Sequence, residues 1–204
     1  PYLALIALFV FLLTWVSTFL CLEQQAMVAD AFSDRDARTA FFSPIEFWTQ
    51  AGSRVMQLFL FGRLFRSFGF RPLIVSVPVL MTAGFAVLAL FPTFAVLIGV
   101  MMVRRIGEYS ITRPSRDALY TVVTREEKYK AKSLIDTFVY RGGDATAASV
   151  HALVKSTFGL GVTGVAWCGA AIAAVWALVA WALGGRHVDL SRRAPQVSQQ
   201  AAAG

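Results

Sequence analysis

Ile45-Glu46-Phe47-Trp48-Thr49-Gln50-Ala51-Gly52-Ser53-Arg54-Val55-Met56-Gln57-Leu58-Phe59-Leu60-Phe61-Gly62 is long and apolar enough to cross a bilayer, yet Glu46, Gln50, Arg54 and Gln57 recur through it at helical spacing. One face of the predicted helix therefore carries four polar side chains. A charge at hydrocarbon depth costs several kcal/mol, so ionisable groups inside a span normally face a bundle interior or a wet cavity and mark a pathway. The stripe points to a channel or transporter.

The composition agrees with membrane residence: 57% of the residues are hydrophobic and 15% charged, and the mean hydropathy is +0.61, well beyond soluble averages. A spanning helix needs about 20 mostly apolar residues. Six stretches qualify, at about 2–22, 45–62, 73–91, 93–112, 134–158 and 162–184, and charge breaks the second, fourth and fifth. The expected architecture is an all-α integral membrane protein with six transmembrane helices over residues 1–190, followed at 191–204 by a disordered cytoplasmic tail. The chain begins at Pro1 without Met or a basic leader, which reads as a fragment. Six spans with a blunt start suit the second half of a twelve-helix transporter built from two parallel halves, so the expected partners are an N-terminal six-helix half and the lipid bilayer.

Lys and Arg set orientation. Arg63, Arg66 and Arg71 lie in one predicted loop, the 113–132 loop holds Arg113, Arg116, Arg125, Lys128, Lys130 and Lys132, and Arg186, Arg192 and Arg193 follow the last span. All fall on one side. The other side has Arg35 and Arg38 against Glu23, Asp30, Asp34 and Asp36. Both termini are thus expected in the cytoplasm, in a bacterial inner (plasma) membrane. The same rule accounts for the net charge of +7, and no base-reading features suggest nucleic acid. Cys21 and Cys168 sit in separate apolar spans without metal spacing, and His151 and His187 read as isolated. No metal or cofactor is expected, and no nucleophile–base constellation suggests an enzyme.

Polarity sorts the spans. The first carries Thr14, Ser17, Thr18 and Cys21 on one face and leads to Gln24 and Gln25; the fourth holds Arg104, Arg105 and Glu108; the fifth holds Asp136, Tyr140, Arg141, Asp144, His151 and Lys155. Spans 3 and 6 have no charge. Spans 1, 2, 4 and 5 are expected to line a cavity, with 3 and 6 facing lipid behind them and Trp167, Trp176 and Trp181 at the lipid or its interface. Arg54, Arg104, Arg105, Arg141 and Lys155 could each capture an anion. The competing reading is internal pairing: Arg104 or Arg105 with Glu108 at helical spacing, and Arg141 with Asp136 or Asp144. Arg54 has no such neighbour and ranks first as a ligand. Tyr109, Tyr140 and Trp48 could stack on a base or simply pack, and Gly142-Gly143 could bend the helix or admit a close neighbour.

The sorting of the spans resembles the second half of a major facilitator superfamily transporter. The loop Gly62-Arg63-Leu64-Phe65-Arg66-Ser67-Phe68-Gly69-Phe70-Arg71-Pro72 resembles that superfamily's cytoplasmic G-x-L-x-D-R-x-G-R-R motif, with Gly62, Arg66, Gly69 and Arg71 as gating-loop residues. Arg66 stands where the family has Asp, so the gate salt bridge associated with that Asp is not implied. A narrower resemblance covers Arg113 to Asp144. Arg116-Asp117, Tyr120, Lys128-Tyr129-Lys130-Ala131-Lys132, Ile135-Asp136 and Gly142-Gly143 are similar, in that order, to ATP:ADP antiporter-type nucleotide transporters, with Arg141 and Asp144 as departures that suit distant bacterial relatives.

The resemblance implies secondary transport by alternating access, exchanging or importing a nucleotide-like or other small anionic solute. On this reading Glu46, Gln50, Arg54, Gln57, Asp136, Tyr140, Arg141, Asp144 and Lys155 form the substrate-binding set. The alternative is a transporter of the same fold with another substrate, coupled to protons through Glu46, Glu108, Asp136 or Asp144; a membrane scaffold or enzyme fits less well. Thr124-Arg125-Glu126-Glu127 has capping-box spacing, so the fifth helix is expected to begin outside the membrane and run to Phe158, about 51 Å at 1.5 Å per residue. Its lysines suit topology and lipid contact. Gly159-Leu160-Gly161-Val162-Thr163-Gly164 fits G-x-G-x-x-G but has no βαβ unit around it and reads as a turn.

Cysteines placed between Asp30 and Arg38 should label from outside intact cells, whereas cysteines between Arg63 and Arg71 should not; the reverse pattern overturns the positive-inside orientation.

Overall fold

A computed structural model of the protein describes residues 2–32, 34–123, 125–157, 159 and 161–202, without the side chains of 60, 61, 64, 125, 127, 128 and 192–202. The described residues are helical almost throughout and contain no strand. They form six rods: helix 1 (Tyr2–Ala31), helix 2 (Arg35–Val55, continuing to Phe68), helix 3 (Phe70–Leu90), helix 4 (Phe94–Gly107, continuing to Val122), helix 5 (Arg125–Leu134, continuing to Thr157) and helix 6 (Val162–Ala202).

Connections are shorter than the sequence suggests. The first part of the expected 113–132 loop is a correction, since helix 4 stays helical to Val122, whereas helix 5 starts at Arg125, where the sequence places its beginning. The 63–71 loop likewise shrinks to a break at Gly69, whose φ of 77° is a conformation that a residue with a Cβ rarely adopts. Asp34 caps helix 2 by accepting from the Ala37 amide at 3.2 Å, and Thr93 caps helix 4 by accepting from Val96 at 3.4 Å. Thr124, Phe158 and Leu160 lie outside the described residues. The backbone of helix 6 continues to Ala202, through most of the segment whose composition predicts a tail.

Three rods are long and apolar enough to cross a membrane: Tyr2–Ala31, Phe70–Leu90 and Val162–Ser191. The other three cover the expected spans 45–62, 93–112 from Phe94 and 134–158 as far as Thr157, but charged residues lower their apolarity, and each is interrupted by one stretch of π-helix: Met56–Leu60, Glu108–Thr112 and Ile135–Val139. The Arg113 amide donates to the Glu108 carbonyl, and the Tyr140 amide to the Ile135 carbonyl, so each ladder widens to an i→i−5 bond. Helix 4 has an identifiable cause. Pro114 has no N–H, and its ring would strike the carbonyl of Ser110 four residues back in a regular helix; the wide turn just before it moves that carbonyl away.

The rods form an arc in the order 2, 4, 3, 6, 1, 5, closed across its middle by contact between helices 1 and 4. Helices 3 and 6 pack on each other most extensively. Small residues allow this. A Cβ on Gly169 would lie 2.5 Å from the Phe85 ring, and one on Gly184 would lie 3.2 Å from the Arg71 Cα. Without a hydrophobic drive between helices in lipid, such close backbone approach supplies the dispersion that holds them. Helices 3 and 6 are therefore partly core, with Leu80, Leu90, Leu178, Trp167 and Trp181 on their exposed faces. Trp176 corrects the lipid-facing expectation: it is buried against Phe9, with ring centroids 5.5 Å apart. At one end Phe32, Phe41, Phe42 and Phe94 cluster with centroids 5.3–6.4 Å apart and tie the start of helix 2 to helices 1 and 4.

Gly169→Val should destabilise the protein by about 1–3 kcal/mol through overpacking, read as a lower unfolding temperature in detergent. Gly142→Ala, where an added Cβ meets nothing within 4 Å, should be neutral or better. Equal effects would remove the close-approach role of Gly169.

Candidate functional site

The polar face of helix 1 is the surface on which helices 4 and 5 dock. Arg104 Nη1 donates to Ser17 Oγ and to Glu108 Oε2, each at 2.7 Å. Both charged side chains are largely buried, at 13% and 16% exposure. Thr18 Oγ1 donates to Asp144 Oδ1 at 2.6 Å, and Trp15 Nε1 to Thr146 Oγ1 at 3.1 Å. Gly143 brings helix 5 close enough for this, since a Cβ there would sit 3.1 Å from Thr14. Its neighbour Gly142 faces open space.

About two turns beyond Glu108 on helix 4, Arg116 reaches Asp136 on helix 5 at 3.7 Å, and Lys132 donates to Asp117 at 3.0 Å. Between these layers lies a cavity of about 240 Å³ lined by Leu13, Glu108, Thr112, Arg113, Arg116, Asp136 and Tyr140. Two π-helical stretches, Glu108–Thr112 and Ile135–Val139, supply its wall. Widened turns of this kind frequently sit at functional sites. Arg113 stacks over the Tyr109 ring at 4.7 Å. The Tyr120 hydroxyl, beyond the apolar part of helix 4, is pushed up to about 12 by burial, with the Asp136 charge adding to it, so it stays neutral.

The expected binding residues divide into groups. Asp136 and Tyr140 line the cavity, and Asp144 lies next to it on helix 5, held by Thr18. Glu46 and Gln50 sit on an open groove along helix 2, with Gln50 Nε2 donating to Glu46 Oε1 at 3.1 Å. Glu46 also receives Arg105, joining helices 2 and 4. That contact corrects one pairing: Arg104 takes the i,i+4 partner Glu108, while Arg105 turns to Glu46. The internal pairing open to Arg141 is not formed among the described residues: Asp136 meets Arg116, and Asp144 accepts from Thr18. Arg54, Gln57 and Arg141 are exposed, and no ion pair is described for either arginine. The Met56–Leu60 stretch that follows Arg54 packs on the Glu108–Thr112 stretch of helix 4.

Of the motif residues, Gly62 and Arg66 are exposed, while Arg71 lies over Trp181 at 3.8 Å and against Gly184. Lys130 pairs with Glu126 at 2.6 Å on the exposed start of helix 5; the Lys128 side chain lies outside the described set. Trp48 is exposed and edge-on to Phe47.

Neither histidine is isolated, which corrects the sequence reading. His187 Nδ1 lies 3.1 Å from Tyr2 Oη, and His151 Nε2 lies 2.8 Å from Glu23 Oε1. Lys155, expected in the binding set, reaches the same Glu23 oxygen at 3.1 Å. Glu23, Arg113 and Arg116 read as loop residues because the apolar runs stop before them, yet helix 1 runs to Ala31 and helix 4 continues through Arg113–Leu119.

Removing one member of a buried ion pair costs about 3–5 kcal/mol, while replacing both with apolar groups is often neutral. Glu108→Leu should therefore lower the unfolding temperature in detergent more than the double variant Arg104→Met/Glu108→Leu. Additive losses would show that the pair is not internally compensated. No family model, curated protein or solved structure matches the chain.

Proposed function

We propose that the chain is one six-helix half of a secondary transporter of the major facilitator type, which moves a small anionic, nucleotide-like solute by alternating access. The observation that carries this reading is the division of the bundle. Three helices with long apolar stretches, 1, 3 and 6, pack together without π-helical turns, while helices 2, 4 and 5 each carry a π-helical turn and have charge within their expected spans. Buried charge on several helices serves a pathway far better than a scaffold.

Further support comes from the arrangement of neighbours. Helices 1 and 4 meet at the centre, 2 and 5 flank them, and 3 and 6 lie behind, in keeping with the resemblance carried by the 62–72 loop and the 113–144 block. A cavity of about 240 Å³ is below the roughly 300–1,000 Å³ of small-molecule pockets, which suits one wall of a site shared with a second half. Arg54 and Arg141 are suited to an anion because they are exposed, whereas Arg104, Arg105 and Arg116 are held by carboxylates. Both termini are cytoplasmic and the membrane is a bacterial inner membrane on this reading. The positive residues of helix ends 63–71, 113–132 and 186–193 then share one side.

Arg54→Gln removes the charge and keeps the polarity. In the membrane-reconstituted protein carrying this chain, it should weaken binding of a nucleoside di- or triphosphate by about 1.5–3 kcal/mol, roughly tenfold or more, with Arg141→Gln acting in the same direction. Absence of nucleotide binding in the unmodified protein overturns the substrate, and wild-type binding by Arg54→Gln overturns the residue.

A further inference from the structure

Helices 1 and 5 bury a second charged cluster that anion capture does not use. Glu23 is 1% exposed, and its Oε1 faces His151 Nε2 at 2.8 Å and Lys155 Nζ at 3.1 Å. Its other oxygen, Oε2, is buried with no hydrogen-bond partner. The Phe19 ring meets the imidazole edge-on at 5.3 Å and closes one side. His151 is 8% exposed, while Lys155 is 39% exposed at the rim.

A buried carboxylate needs compensation, and here two basic groups converge on one oxygen. With Lys155 as ammonium and His151 neutral, the imidazole Nε2–H donates to Oε1 and the cluster has no net charge. A proton entering at Nδ1 makes an imidazolium on the same carboxylate. Lys155, the exposed member, is then free to turn toward water. The cluster therefore has two arrangements that differ by one proton and by the position of one mobile cation. Histidine is the side chain whose ordinary charge change lies within physiological pH.

Other charged groups along the packed elements have partners of their own or, like Arg141 and Asp30, are exposed. Asp144 on helix 5 accepts from Thr18, and on helix 4 Arg104 is paired with Glu108 and Arg105 with Glu46. Helix 6 carries no charged residue from Val162 to Gly185, with Cys168 its titratable side chain there, and Asp30 is the other carboxylate on helix 1.

We propose that Glu23, His151 and Lys155 form a proton-binding site, His151 carrying the proton and Glu23 holding it, with Lys155 released as the proton arrives. What the proton drives rests on the transport reading; the binding itself does not.

The chain has two histidines, so His187→Asn leaves one imidazole to follow by nitrogen NMR in the membrane-reconstituted protein. Acidification should convert the His151 signal from neutral to imidazolium. That conversion should be lost in Glu23→Gln, while the imidazolium should still form in Lys155→Met, where it is the only basic partner left to Glu23. A His151 signal that stays neutral throughout in the unmodified cluster, that behaves alike with and without Glu23, or that stays neutral in Lys155→Met overturns the proposal. In vesicles with an imposed pH gradient, nucleotide accumulation should follow the gradient in wild type and fall to the no-gradient level in Glu23→Gln, while nucleotide exchange continues. Gradient-driven accumulation that survives in Glu23→Gln also overturns the coupling role. A wild type that moves no nucleotide refutes the transport reading, and the NMR result still decides the proton site.

Discussion

Charge buried among helices has to be answered inside the bundle, and most of this structure follows from how it is answered. Arg104 is the central case, since one of its nitrogens serves both Glu108 on its own helix and Ser17 on helix 1. The bond to Ser17 fixes helix 4 against helix 1 at the point where the arc of rods closes. From there the pattern repeats outward: Arg105 with Glu46 holds helix 2 to helix 4, and Arg116 with Asp136 holds helix 5 to helix 4. Each contact joins a charged rod to the next, while apolar packing of helices 1, 3 and 6 supplies the frame behind them. A charged pair adds little net stability once desolvation is counted, but leaving either partner alone is expensive. These pairs therefore specify register more than they strengthen the bundle.

Much of the fold was legible because its signals are local. Apolar runs located all six rods, the absence of charge identified helices 3 and 6, and the spacing of Arg104 and Glu108 predicted their pairing. What escaped depends on geometry between helices. Glu23 reads as a loop residue because the apolar run of helix 1 stops at Leu22, yet the helix continues to Ala31 and carries Glu23 into contact with His151. No spacing rule links positions 23 and 151. Arg105 could reach Glu108 on its own helix and takes Glu46 instead, a choice that depends on where helix 2 lies. Trp176 reads as lipid-facing from a charge-free helix, and only the rotation set by Gly169 and Gly184 turns it inward.

The π-helical stretches were also invisible to periodicity, although one has a local cause in Pro114. Each adds a widened turn and so changes which side chains share a face beyond it. In helix 4 this matters directly, because Glu108 and Thr112 at the two ends of the stretch both line the cavity, together with Arg113 and Arg116 just past it. An α-helix of regular pitch would distribute those positions differently around its axis.

The placement of these turns divides the molecule mechanically as well as chemically. Helices 1, 3 and 6 contain no π-helical stretch, although Pro78 leaves one amide hydrogen bond unmade in helix 3, and helices 3 and 6 pack through close approach, which resists deformation because interiors of that density have no room to yield. Helices 2, 4 and 5 each carry a stretch of weaker, wider hydrogen bonding, and the Met56–Leu60 stretch of helix 2 rests on the Glu108–Thr112 stretch of helix 4. Motion that bends the charged rods while the frame stays fixed would therefore be concentrated at the depth of Glu108 and Asp136. Charge, cavity and widened helical turns coincide there.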